Sequence, residues 1–136
     1  MATILMIDDD ADLAAALRVL LEGKGHQFHT AANGELGLRR VKETGPDLII
    51  LDVMMDRYTE GFRVAQRLRD SSDDSEYAAY REVPILVLTA VHRTTSFRFG
   101  PNEDSLPVDE LLEKPVSADR LMATVERLLS RAPVRP

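Results

Sequence analysis

Leu48-Ile49-Ile50-Leu51 is an uninterrupted apolar run that stops at a carboxylate, Asp52, before Val53. A strand with one wet face alternates apolar and polar residues. A strand apolar at every position has no wet face, so it belongs inside a parallel sheet covered by helices on both sides. The chain supplies the other strands such a sheet needs. Met1 to Ile7 is a largely apolar run ending at Asp8-Asp9-Asp10, and Gln27 to Ala31 reads as a short strand. Val83 to Thr89 is a fourth, buried strand and Val108 to Glu113 a fifth, ahead of Lys114-Pro115.

Helical patterns fill the gaps. From Asp12 the leucines fall at positions 13, 17, 20 and 21, a one-sided stripe, with aspartates in the first turn and Gly23 and Gly25 beyond the last. Asp10 and Asp12 read as a cap and a dipole partner. A helix carrying Leu36, Val41 and a basic face follows Asn33-Gly34 and runs to Thr44-Gly45, where Pro46 blocks continuation. A third helix spans Gly61 to Asp70, and Ser117 caps a last one with Leu121, Val125, Leu128 and Leu129 on one face. Ser71 to Arg81 reads equally as helix extension or surface loop, and His92 to Pro107 as a loop with at most one short helix. Arg39-Arg40 and the Arg67-Arg69 pair read as solvated helix faces, and His26, His29 and His92 lack metal-ligand spacing. Strands alternating with helices imply an α/β, doubly wound, mostly parallel sheet, in which ligands gather at the carboxyl ends of the strands.

Composition narrows the function. A length of 136 residues suits one core, with residues 1–130 as the folded domain and 131–136 as a flexible tail. Hydrophobic residues at 44% and charged residues at 29% are those of a packed globular protein. A net charge of −6 disfavours direct nucleic acid binding. With no cysteine there is no disulfide framework and no thiolate chemistry. No apolar stretch approaches the roughly 18 residues of a membrane span, and the start lacks a signal-peptide pattern, so a cytoplasmic protein without membrane insertion is expected.

The residues at the strand ends carry chemistry. Asp8 and Asp9 end the first strand, Asp52 the third, Thr89 the fourth and Lys114 the fifth. Clustered carboxylates repel one another unless a cation compensates, and Mg²⁺ suits a shallow site of oxygen ligands. One aspartate could then face a phosphoryl donor as nucleophile, with Thr89 and Lys114 as donors to the phosphoryl oxygens.

The succession Ile7-Asp8-Asp9, Leu51-Asp52 with Met54-Met55, Leu88-Thr89-Ala90 and Lys114-Pro115 resembles the receiver domain of two-component response regulators over nearly the whole chain. The resemblance implies a five-stranded sheet in the flavodoxin-like order 2-1-3-4-5. It implies Asp52 as phosphoacceptor, Mg²⁺ held by Asp8, Asp9, Asp52 and the backbone carbonyl of Met54, and Thr89 and Lys114 on the phosphoryl group. It also implies a histidine kinase or histidine phosphotransfer protein as donor, an unknown downstream protein as reader, and room for a homodimer. Met54 and Val91 occupy the positions that flank water attack in the family, which implies slow self-dephosphorylation. The chain departs from the pattern at Asp56, where the family has proline, and at Gly61, one residue late. Leu111 excludes the aromatic switch many receivers have three residues before the lysine, and Thr95 to Pro107 replaces the expected fourth helix.

Two other readings stand beside this one. Asp8 and Asp10 form a D-x-D pattern similar to that of haloacid-dehalogenase-like phosphohydrolases, with Asp8 as nucleophile, but Asp12 departs from that pattern. A receiver-like binding module working without phosphorylation is the other.

Overall fold

In the computed structural model, residues 2–8, 10–52, 58–69, 80, 82–89, 109–113 and 117–131 are described, with backbone alone at 52, 58–62, 89, 113 and 131. Strands β1 (Thr3–Ile7), β2 (Gln27–Ala31), β3 (Leu48–Asp52), β4 (Ile85–Thr89) and β5 (Glu110–Glu113) form one sheet in the order β2-β1-β3-β4-β5. Every pairing is parallel. The helices are α1 (Ala11–Glu22), α2 (Gly34–Thr44), α3 (Tyr58–Leu68) and α4 (Ala118–Arg131).

Local chemistry sets the helix ends. The Asp10 carboxylate accepts the Leu13 N–H at 3.0 Å and Asn33 accepts that of Leu36 at 2.9 Å, so each caps the helix it precedes. Ser117 Oγ accepts from the Arg120 amide at 3.2 Å at the start of α4. Gly45 ends α2 in the left-handed region, at φ 57°, while its N–H still donates to the Val41 carbonyl.

The sheet divides the interior into two cores. Leu5, Ile7, Ile49, Leu51, Ile85 and Val87 face α2 and α3, where Val41, Val64, Ala65 and Leu68 meet them. Their neighbours Ile4, Met6, Leu48, Ile50, Leu86 and Leu88 face α1 and α4, against Leu17, Leu21, Leu121, Val125 and Leu128. Side chains of a strand alternate between faces, so an unalternated apolar run is what two covered faces require.

Several details differ from the sequence reading. β4 begins at Ile85 rather than Val83, because Pro84 has no N–H to give to a ladder and the Val83 amide turns back to the Tyr80 carbonyl. Helix α3 starts at Tyr58, ahead of Gly61, so that glycine lies inside the helix and not at its start. In α2 the buried positions are Gly34, Gly37 and Val41, while Leu36 is 39% exposed and adds little to the core.

Candidate functional site

The register of the sheet decides which strand ends meet. Ile7 pairs with Leu51, so the next residues, Asp8 and Asp52, leave neighbouring strands at one level. Neighbouring strands lie about 4.8 Å apart, which puts two acidic positions side by side. Asp52 pairs in turn with Leu88, the residue before Thr89, and Thr89 pairs with Glu113, the residue before Lys114. The carboxyl edge of three adjacent strands, β1, β3 and β4, therefore gathers Asp8 and the backbone positions of Asp52 and Thr89.

Asp8 is held firmly. Its amide donates to the Ala31 carbonyl at 3.0 Å, extending the β1–β2 ladder by one step. Its Oδ1 accepts the Asp10 N–H at 2.9 Å, and the residue is only 5% exposed. A carboxylate this deep is costly without compensation, and a hard cation is a suitable compensating group. Asp10 is turned to capping α1, in agreement with the sequence reading of that residue.

Among the sequence-derived site residues, the structure thus brings together Asp8 and the backbone positions of Asp52 and Thr89. Asp9, Met54 and Lys114 lie outside the described residues. A cleft of about 320 Å³ opens beside Asp8, lined also by Ala11, Ala14, Ala15, Arg18 and Thr30. The Arg18 guanidinium is engaged at its edge, over the Phe28 ring at 5.2 Å and bonded to Glu22 and to the Phe28 carbonyl.

Sequence reading placed Arg69 on a solvated face, and the structure overturns that. Its side chain is 20% exposed and donates to the Val83 carbonyl at 2.7 Å and to Asp109 at 2.6 Å. Burial pushes the guanidinium pKa down while Asp109 opposes the shift. The residue sits just past the end of α3, where the apolar stripe ends, so periodicity could not distinguish an inward arginine from an outward one.

Residues 4–126 match the response regulator receiver domain family. The chain is 34% identical to the transcriptional regulatory protein AfsQ1 of Streptomyces coelicolor over 131 residues, covering 96% of this chain and 52% of that protein. It is 34% identical to the response regulator MprA of Mycobacterium leprae over 128 residues, covering 94% of this chain and 51% of that one. The chain spans about half the length of these curated relatives. A two-component response regulator from Clostridium difficile superposes with a TM-score of 0.76 at 26% identity, covering 96% of this chain and 98% of the other. A signal receiver domain of a histidine kinase from Syntrophus aciditrophicus gives 0.76 at 26%, covering 100% and 96%.

A parallel five-stranded sheet in the order β2-β1-β3-β4-β5 with helices on both faces is the flavodoxin-like fold that these receiver domains share. This chain belongs to the response regulator receiver domain family.

Proposed function

We propose that the chain is a phosphorylation-controlled switch of a two-component system, with Asp52 as its phosphoacceptor. The observation that carries this reading is the register that sets Asp8, Asp52 and Thr89 at one edge of three adjacent strands. A carboxylate oxygen of Asp52 attacks the phosphorus of a phosphohistidine on a kinase or phosphotransfer protein. The P–N bond breaks, its electron pair leaves with the imidazole, and an acyl phosphate remains on Asp52. Asp8, Asp9, Asp52 and the Met54 carbonyl would hold Mg²⁺, which when bound offsets the negative charge gathered at the reacting oxygens. Thr89 donates to one phosphoryl oxygen and Lys114 pairs with another. With Met54 and Val91 unable to orient water, the phosphoryl group leaves slowly.

The protein is not an enzyme with turnover of its own. A phosphoryl group adds roughly −1.5 to −2 charge where Thr89 and Lys114 converge, and drawing these groups inward shifts the ends of β4 and β5 between two packings. A downstream protein reads the change in the cytoplasm. Among the described residues no helix is long and apolar enough to cross a membrane. The net charge of −6 favours readout by protein contact over contact with nucleic acid.

The test is incubation with acetyl phosphate and Mg²⁺, followed by intact-mass analysis of the wild type and Asp52→Asn. The expected result is one phosphoryl group, dependent on Mg²⁺ and absent from the variant. An adduct that persists in Asp52→Asn and vanishes in Asp8→Asn would favour the hydrolase-like reading. No adduct at all would favour a binding module.

A further inference from the structure

Two aspartates stand immediately before strands and make the same contacts. Asp47 precedes β3; its amide donates to the Thr3 carbonyl at 2.7 Å and its carboxylate accepts the Thr3 N–H at 2.9 Å. Asp109 precedes β5; its amide donates to the Ile85 carbonyl at 2.9 Å and its carboxylate accepts the Ile85 N–H at 2.8 Å. Thr3 and Ile85 are the first residues of β1 and β4. Each aspartate therefore engages both backbone groups of the residue that opens the neighbouring strand, and a strand pinned in this way has one register.

Asp109 carries an additional anchor. Arg69 ties its carboxylate to the end of α3 and, through the Val83 carbonyl, to the approach to β4. The next residue, Glu110, points to the other face and pairs with Arg127 of α4 at 2.5 Å. Consecutive acidic residues are thus each clasped by an arginine from the helix covering their own face. Among the described residues the strand so fastened is one of the sheet's two edges, paired on one side, and four residues long. An edge strand this short has little ladder of its own to specify its register. Lys114 is the residue that follows it.

We propose that Asp109, clasped by Arg69, is a positioning residue for the phosphoryl site: it fixes the register of β5 and with it the placing of Lys114 relative to Thr89. This rests on the role given to Lys114 above. A slip of one residue displaces the strand by about 3.3 Å and reverses its faces, whereas misplacing a reacting group by about 1 Å already costs up to about a hundredfold. The residues proposed to hold Mg²⁺, Asp8, Asp9, Asp52 and Met54, follow or end β1 and β3 in the chain, so their placing should not depend on the register of β5.

The experiment compares wild type, Asp109→Ala, Asp109→Asn and Arg69→Met in the full chain. It measures the rate of Mg²⁺-dependent phosphorylation by acetyl phosphate and, separately, Mg²⁺ affinity by calorimetry. The expected result is a fall in rate of about tenfold or more for Asp109→Ala, with a smaller fall for Arg69→Met. Mg²⁺ affinity stays within about twofold, and Asp109→Asn, which keeps an acceptor for the Ile85 N–H, recovers most of the rate. Equal loss of rate and of Mg²⁺ affinity in Asp109→Ala and Arg69→Met would mean general unfolding and overturn the proposal. Unchanged rates in a wild type that does phosphorylate would overturn it while leaving the switch reading intact. A wild type that takes up no phosphoryl group would overturn both.

Discussion

Gly37 of α2 lies so close to Ile7 of β1 that a Cβ at position 37 would fall 2.4 Å from the Ile7 Cδ1 and 2.7 Å from its Cγ1. Ile7 is fully buried and cannot swing away. The glycine is what lets α2 approach the strand that delivers Asp8. Overpacking a tight core costs about 1–3 kcal/mol, and the better helix propensity of alanine returns at most about 1 kcal/mol. Gly37→Ala should therefore lower the urea midpoint, by about 1–2 kcal/mol in unfolding free energy. Adding Ile7→Val should cost less in that background than in the wild type, since it removes part of the clash. A midpoint equal to or above that of the wild type would contradict this account of the contact.

Asp8→Asn separates the fold from the metal. The amide oxygen of asparagine can keep the bond from the Asp10 N–H, and removing one charge should relieve repulsion among the acidic residues proposed to hold Mg²⁺. Without Mg²⁺ the variant should melt at or above the wild-type temperature. Added Mg²⁺ should stabilise the wild type, by about 1.4 kcal/mol at ten times its dissociation constant, and should leave Asp8→Asn nearly unmoved. Equal stabilisation of both proteins would remove Asp8 from the ligand set.

His26 gives the fold a pH dependence of known sign. Its Nδ1 accepts the Ala2 amide at 3.1 Å, which requires the unprotonated nitrogen. Burial lowers its pKa and the positive N-terminus lowers it further, with Glu126 acting the other way. The unfolded chain therefore binds the proton more readily than the folded one. The stability this contributes is complete above the ordinary histidine pKa of about 6.5, and is lost as pH falls from there through the lowered folded value. Melting temperatures taken from pH 8 to pH 5 should fall more steeply for the wild type than for His26→Gln. Parallel curves would show that the contact does not couple to protonation.

Much of this was legible in the chain, and where it was not, a physical reason can be given. The strand Gln27–Ala31 and the end of α2 at Thr44 match the sequence reading, Gly45 and Pro46 marking the helix end, while the helix itself begins one residue earlier than read, at Gly34, where Asn33 caps it. The unalternated Leu48–Leu51 run announced both covered faces of the sheet. The roles of Asp10 and Ser117 as caps followed from their residue types. What sequence concealed was reach across the fold. Arg69 and Asp109 are 40 positions apart, and no periodicity links an arginine past a helix end to an aspartate before a strand. Leu36 misled for the opposite reason: hydrophobicity marks a candidate for burial, whereas here Gly37 lets the helix sit close to β1 on a different side. The candidate site was readable as a set of strand-end residues in order, and the register of the sheet adds the levels at which Asp8, Asp52 and Thr89 stand.

Among the described residues the two cores share no buried side chain, and the sheet stands between them. The molecule is in effect a pair of half-proteins glued along a common wall. Substitutions on opposite sides of that wall should therefore combine nearly additively, each felt by the layer of helices it faces. The acidic rim is answerable to both halves, being carried by the wall itself.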